Sequence, residues 1–194
     1  MRNTWIRRIS AIRKDGVESA INLTCGLNCI IGASNTGKTR IAKTVEFACG
    51  GKELPFTDKT AYEIAQVTFV TNGGEVSLSR SIHVQNTIHV KSSNPMIVPG
   101  SYSVSSRAGK SINTVLLALL GVESTRRIAT NETYHTVAFT WNAIRHLMIV
   151  PEDQIGRARP SILFPKSTSL ATLTQSLSSL LVLVQDEKID NSIQ

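Results

Sequence analysis

The sequence predicts an α/β fold in which a mixed sheet is joined to an antiparallel β-meander and a C-terminal helix. Three observations predict it. A glycine-rich loop lies between an apolar run and a helical pattern at residues 27–50, two strand-like runs meet at a turn signal at residues 72–74, and leucines recur at helical spacing between residues 169 and 188. We expect residues 1–194 to form a single lobe.

The first predicted elements are two antiparallel strands. Over residues 5–13 apolar residues alternate with basic ones, which is typical of a half-exposed strand. Asp15-Gly16 is a hairpin turn signal, and residues 17–23 return as the second strand. The apolar run at residues 27–31 is predicted to be a third strand, which leads directly into the glycine-rich loop.

The glycine-rich loop, residues 32–39, spells G-x-x-x-x-G-K-T, the motif called the P-loop. Its glycines allow bare backbone N–H groups to surround phosphate oxygens. Lys38 would neutralise phosphate charge, and the Thr39 hydroxyl would coordinate Mg²⁺. We therefore predict a nucleotide site, for ATP or GTP, at Gly32, Ala33, Ser34, Asn35, Thr36, Gly37, Lys38, Thr39 and Arg40. The alternative is a chance match in an ordinary turn, although the motif is rare between a strand and a helix.

A helix is predicted to follow the loop, beginning near Lys38. Ile41, Val45 and Ala48 recur at helical spacing, so this helix can pack on the sheet while its N-terminus faces the phosphates. Gly50-Gly51 ends it, as glycine commonly does. Residues 1–51 therefore hold the first strands, the P-loop and its helix.

The next stretch, residues 52–110, is predicted to be a β-meander followed by a loop. Residues 52–59 are polar and contain Pro55, which indicates a connection. Residues 64–71 and 75–82 are strand-like and are joined by Asn72-Gly73-Gly74, a strong hairpin signal; residues 87–91 continue the meander. The serine-rich residues 92–110 are predicted as a surface excursion.

The second half of the chain mixes helix and strand signals. Residues 111–121 are predicted to form a helix that ends at Gly121. Residues 134–141 and 144–150 are predicted strands, with a short helix over residues 142–147 as the alternative. Residues 111–168 thus hold a helix, strands and a polar loop, and residues 169–194 a C-terminal helix that can start a coiled coil.

The charge balance favours polyanionic partners. The formal net charge is +7 and the pI is near 9.6, which suits a nucleotide and DNA; a basic surface without a partner is the alternative. No apolar run is long enough for a signal peptide or a membrane span, so we expect a cytoplasmic protein with no membrane partner. Cys25, Cys29 and Cys49 lack the histidine or second cysteine pair of a metal site and are expected to be small buried thiols.

This order of parts resembles the N-terminal half of the ATPase head of the SMC, RecF and SbcC type, within the ABC-ATPase superfamily. In that family two antiparallel strands precede the P-loop strand, the P-loop helix ends in a turn like Ala48-Cys49-Gly50-Gly51, and a β-meander follows. The loop also looks like the G-x-S-x-T-G-K-[ST] of bacterial SMC-like ATPases found among DNA-repair and phage-defence genes. The resemblance implies an α/β P-loop lobe that binds ATP and Mg²⁺ and acts on DNA.

The resemblance also implies a role for a loop that follows residue 150. The Q-loop of relatives, often V-x-Q-G-x-I, falls on residues 150–155, where the family glutamine aligns with Glu152 and this chain's own glutamine is Gln154. Glu152 is therefore the implied catalytic and Mg²⁺-binding partner of Lys38 and Thr39, with Gln154 as the alternative. An exposed acidic loop without function is the other interpretation.

Two parts of such an ATPase, the signature motif and the Walker B strand, are expected on a C-terminal lobe, in cis or in another chain. Residues 71–75 imitate the signature glycines, but they lie in a predicted hairpin. Residues 180–187 imitate a Walker B strand that ends in Asp186-Glu187, although Gln185 interrupts it. The resemblance implies that ATP-dependent dimers form only from the complete head.

Three functional hypotheses follow. The first is an ATP-binding half of an ATPase head, which needs the C-terminal lobe for hydrolysis. The second is a self-sufficient small P-loop NTPase or kinase, with Asp186-Glu187 or Glu152-Asp153 as the acidic Mg²⁺ partner. The third is a basic nucleic-acid-binding module with a residual nucleotide site.

Overall fold

The computed structural model describes residues 4–57, 60–105, 108–122, 127–129 and 136–150. The chain divides into two compact units, Arg2–Leu120 and Gly121–Gln194. In chain order the elements are β1 (Trp5–Arg13), β2 (Glu18–Asn22), α1 (Lys38–Ala48), β3 (Tyr62–Thr71), β4 (Gly74–Ser81), β5 (Thr87–Ser92), β6 (Gly100–Ser103), α2 (Ile112–Leu119), β7 (Arg127–Ala129), β8 (Thr136–Ala138) and α3 (Trp141–Met148).

The first unit is built on a sheet of six strands in the order β2-β1-β3-β4-β5-β6, and every neighbouring pair is antiparallel. The prediction of an α/β P-loop lobe with a mixed sheet is therefore wrong, because the fold is β-rich. The connections explain the difference. The turns between β1 and β2 and along the β3 to β6 meander are short, and short turns join only antiparallel strands, whereas a parallel pair needs a long crossover.

The apolar run at residues 27–31, which was the predicted P-loop strand, forms no strand. Leu27 is 93% exposed and Ile31 is 94% exposed. The Asn28 side chain instead closes a turn, since it accepts from the Thr24 N–H at 3.0 Å and donates to the Thr24 and Gly26 carbonyls at 2.8 and 3.0 Å. An apolar run becomes a strand only when a neighbour pairs with its backbone, and none of the described strands pairs with this one.

The two predicted hairpins are confirmed. Ile9 pairs with Ile21 across β1 and β2, and Val67 pairs with Leu78 across β3 and β4. The predicted continuation of the meander is β5. A further strand, β6, lies inside the stretch predicted to be irregular, residues 92–110, where serine and glycine give little apolar periodicity and only Tyr102 is buried among its four residues.

Helix α1 packs on one face of this sheet, against β1, β3 and β4. Thr44, Phe47 and Ala48 are its buried residues. Phe47 belongs to an apolar cluster with one residue of β1, one of β3, the residue that follows β4 and one residue of the loop after α1: Ala11, Ala65, Ile82 and Phe56. Helix α2, confirmed within residues 111–121, is capped at its N-terminus by Ser111, whose side chain accepts from the Asn113 N–H at 3.2 Å.

The second unit contains the antiparallel pair β7 and β8, in which Ile128 lies opposite Val137, and helix α3. The predicted strand at residues 144–150 is wrong, and the helical alternative over residues 142–147 is confirmed. Trp141, Ile144 and Met148 recur at helical spacing, and Ile144 is fully buried. The spacing of the apolar residues therefore indicated the correct structure, whereas their high proportion had favoured a strand.

Glu152, Gln154 and the predicted helix at residues 169–188 lie outside the described residues. None of the helices that the structure describes is both long enough and apolar enough to span a bilayer.

Candidate nucleotide-binding site

The phosphate loop, residues 32–39, leads straight into α1. Asn35 and Gly37 have positive φ angles of 63° and 90°, so the backbone turns left-handed twice within three residues. Such alternation points successive N–H groups toward one side, which is how backbone forms a concave site for an anion. The loop therefore has the left-handed backbone that such a site requires, although no strand leads directly into it.

The two glycines of the motif are required for different reasons. Gly37 is the N-cap of α1, and its φ of 90° disfavours any residue with a Cβ. Gly32 lies against Thr36, and a Cβ added to Gly32 would stand 2.9 Å from the Thr36 Oγ1. The Thr36 hydroxyl itself donates to the Ala33 carbonyl at 2.8 Å, so it holds the first half of the loop together.

Lys38 folds back over the phosphate loop. Its Nζ donates to the Gly32 and Ala33 carbonyl oxygens at 2.7 and 2.6 Å and lies 3.5 Å from the Thr36 Oγ1. An ammonium has three N–H donors, so Lys38 can bond both carbonyls at once and connect the end of the loop to its start. It also brings a positive charge to the loop. This geometry places the charge of Lys38 beside the backbone that would contact a phosphate.

The N-terminus of α1 is left open to an anion. The N–H groups of Arg40 and Ile41 already donate to the Gly37 carbonyl, at 2.9 and 3.3 Å. The N–H groups that remain for a ligand are therefore those of Lys38 and Thr39, which precede them and have no acceptor within the helix. Gly37 offers no side-chain cap, and α1 has no acidic residue in its first turn. The positive end of the helix dipole therefore has no negative partner of its own in this turn.

Basic side chains continue along the exposed side of α1. Thr39 and Arg40 are exposed in its first turn, and no acidic side chain among the described residues pairs with Arg40. Lys43, one turn further, is paired with Glu53 at 3.0 Å. The predicted site residues from Gly32 to Arg40 are therefore brought together, and the local charge is positive.

The described residues contain no cluster of three or more His, Cys, Asp or Glu side chains that could hold a metal ion. Thr39 offers one hydroxyl, and Mg²⁺ usually completes its shell with phosphate oxygens and water. The residues implied as its further ligands, Glu152 and Gln154, lie beyond the described part of the chain.

The cysteines near the loop differ from the prediction. Cys25 and Cys29 are exposed, because the strand expected to bury them does not form, while Cys49 is buried as predicted. Burial raises the pKa of the Cys49 thiol to about 12, and the charge of Glu46 adds to the shift.

Arg80, which contacts the helix that carries the loop, was not predicted from the sequence. It lies on β4 and is 4% exposed, and its guanidinium contacts the C-terminal end of α1. Its signal was present in the sequence: in the alternation Val76, Leu78, Arg80, Ile82, a cation stands at an inward-facing position.

No model of a known protein family matches this chain, and no curated protein is significantly similar to it in sequence.

Proposed function

We propose that this chain binds ATP with Mg²⁺ at residues 32–40 and forms the nucleotide-binding part of an SMC-like ATPase that acts on DNA. Hydrolysis requires a second lobe, in cis or in another chain, that carries the signature motif and the Walker B carboxylates. The proposal depends on the phosphate loop and not on the sheet around it. The observation that carries it is the position of the Lys38 ammonium over a left-handed loop at an uncapped helix N-terminus.

The chemistry of phosphate and Mg²⁺ binding assigns a role to each residue of the site. The N–H groups of the loop and the Lys38 ammonium bind the phosphates, and the Thr39 hydroxyl orients Mg²⁺. Glu152, or Gln154 in its place, positions the metal or the attacking water. Phosphoryl transfer is mostly positioning and charge stabilisation, so a site without the second lobe turns over very slowly.

The basic character of the chain supports DNA as the polyanionic partner. A net charge of +7 raises the local concentration of polyanions, and such binding weakens steeply as salt increases. A cytoplasmic location, where both ATP and DNA are present, fits this role.

Isothermal titration with Mg-ATP tests the proposal. Wild-type chain is expected to bind, and Lys38→Ala to bind at least about tenfold more weakly, a loss of about 1.4 kcal/mol or more. Lys43→Ala is the matched control. It also removes a lysine from α1, but the Lys43 side chain is paired with Glu53 and does not lie over the loop. Equal affinity in Lys38→Ala and wild type would place the nucleotide elsewhere. Rapid ATP hydrolysis by the chain alone would instead support a self-sufficient NTPase.

A further inference from the structure

Arg80 is a buried cation that joins three segments of the first unit. Its Nη1 donates to the carbonyl oxygens of Phe47 and Gly51 at 2.6 and 2.7 Å, and its Nε and Nη2 donate to the Gln85 carbonyl at 2.8 and 2.6 Å. Phe47 lies in the last turn of α1, Gly51 follows that helix, and Gln85 lies in the turn between β4 and β5. A single side chain thus fixes the end of the helix to the sheet.

The charge of Arg80 is balanced by backbone dipoles. Among the described residues no carboxylate forms an ion pair with it, and its partners are carbonyl oxygens. The last carbonyls of a helix carry the negative end of the helix dipole, which favours a cation at that end. Burial lowers the pKa of Arg80 to about 10, so the guanidinium still carries its charge at neutral pH.

The phosphate loop depends on α1 for its position. On the N-terminal side of the loop, residues 24–31 are exposed and belong to no strand, so they offer it little support. On the other side the loop is continuous with α1, whose buried residues, Thr44, Phe47 and Ala48, all lie toward its C-terminal half. The end of α1 that Arg80 holds is therefore the firmly anchored end.

A small movement at that end is enlarged at the loop. Eleven residues at a rise of 1.5 Å make a rod of about 16 Å, so a tilt of about 5° displaces the opposite end by about 1.4 Å. A misplacement of about 1 Å in a positioned group can cost orders of magnitude in function.

From these contacts we propose that Arg80 is a positioning residue for the nucleotide site: it clamps the C-terminal end of α1 so that the loop at the other end is held in its phosphate-binding geometry. The inference rests on the proposed function. It assigns to a residue of the β-meander a part in ATP binding that involves no contact with the nucleotide.

The test compares Arg80→Met with Ile88→Ala. Ile88 is buried like Arg80, but it lies on β5 and does not hold α1 through hydrogen bonds, so its truncation weakens the core without releasing the helix end. Two quantities are measured at a temperature where circular dichroism shows each variant folded. They are the Kd for Mg-ATP, and the NMR amide shifts of Gly37, Lys38 and Thr39 without nucleotide.

For Arg80→Met we expect a Kd at least about fivefold higher and shifted loop amides, whereas Ile88→Ala should match wild type in both. Arg80→Lys keeps the charge but cannot span the three carbonyls, so its Kd and amide shifts should lie between those of wild type and Arg80→Met. If Arg80→Met does not fold, Arg80→Lys provides the test. Wild-type affinity and unshifted amides in a folded Arg80 variant would overturn the inference. Failure of wild-type chain to bind Mg-ATP would reject the proposed function, and the amide shifts would still show whether Arg80 positions the loop.

Discussion

The guanidinium of Arg80 lies 4.0 Å from the centre of the Phe47 ring and donates to the Phe47 carbonyl oxygen. One side chain of β4 therefore binds both the ring and the backbone of a single residue of α1. A desolvated cation over an aromatic ring contributes about 2 kcal/mol, and a hydrogen bond from a charged donor contributes about 1.5–3 kcal/mol. The contact between helix and sheet is thus electrostatic as well as apolar.

Truncation of the Arg80 side chain is expected to lower the stability of the fold. Arg80→Ala leaves the carbonyls of Gly51 and Gln85 without their guanidinium donor, and we expect a loss of about 3–5 kcal/mol in the free energy of unfolding, measured in urea. Arg7→Ala is the control, since Arg7 forms an exposed ion pair with Glu75, and such pairs contribute about 0–1 kcal/mol. Equal losses in the two variants would contradict the role given to Arg80.

Thr39→Ala should separate nucleotide binding from its metal dependence. The substitution removes one hydroxyl but leaves the backbone N–H groups and Lys38 in place, so ATP binding should persist in part while the gain from added Mg²⁺ is lost. Titrations with and without Mg²⁺ measure this. Thr39→Ser keeps the hydroxyl and should respond to Mg²⁺ like wild type. An undiminished Mg²⁺ response in Thr39→Ala would assign the ligand to another residue.

Gly37→Ala should strain the loop without a steric clash. A Cβ at Gly37 meets no atom within 4 Å, but φ is 90°, so we expect about 1–2 kcal/mol of lost stability together with weaker ATP binding. Gly109→Ala is the control, because its added Cβ also meets nothing and its φ lies outside the left-handed range. Thermal unfolding and titration of both variants provide the comparison, and identical behaviour would count against the left-handed loop.

The three thiols should react in two classes. Cys25 and Cys29 are exposed and should be modified at once by a thiol-specific disulfide reagent at about pH 8, while Cys49 should react only as fast as the protein unfolds. Rapid modification of all three would contradict the burial of Cys49.

The raised pKa of Cys49 also makes stability depend on pH. Its thiol ionises near 9.0 in the unfolded chain and near 12 in the folded one, so its contribution is present below pH 9 and is lost as pH rises through that window. Cys49→Ala should lack this part of the alkaline decline in the free energy of unfolding.

The last prediction concerns the oligomeric state of the chain. The chain should remain monomeric with or without Mg-ATP, and should form ATP-dependent dimers only when the complementing lobe is supplied, because a ligand that contacts both states equally shifts no equilibrium. Light scattering tests this, with Glu152→Gln to slow any turnover. An ATP-induced dimer of the chain alone would mean that one of its own segments supplies the signature contacts.

Local patterns in the sequence predicted most of the individual elements. The alternation of residues 5–13 and the Asn72-Gly73 turn are set by side chains a few residues apart, so β1 and the β3–β4 hairpin were predictable. The strand at residues 27–31 was not, because its formation depends on a partner strand and not on its own composition. The loop residues could be identified from their motif, but the contact between Arg80 and α1 joins residues 33 positions apart, which no local pattern reveals.

The pairing of β1 with β3 determines when the site can form during synthesis. Between these strands lie the phosphate loop and α1, and α1 packs on both of them. A free helix of eleven residues is only marginally stable in water, and β3 is the strand that α1 contacts most, so α1 lacks most of its packing surface until β3 has left the ribosome. The glycine-rich segment is thus translated well before α1 is held against the sheet, and the nascent chain reaches this arrangement only after Thr71 has emerged.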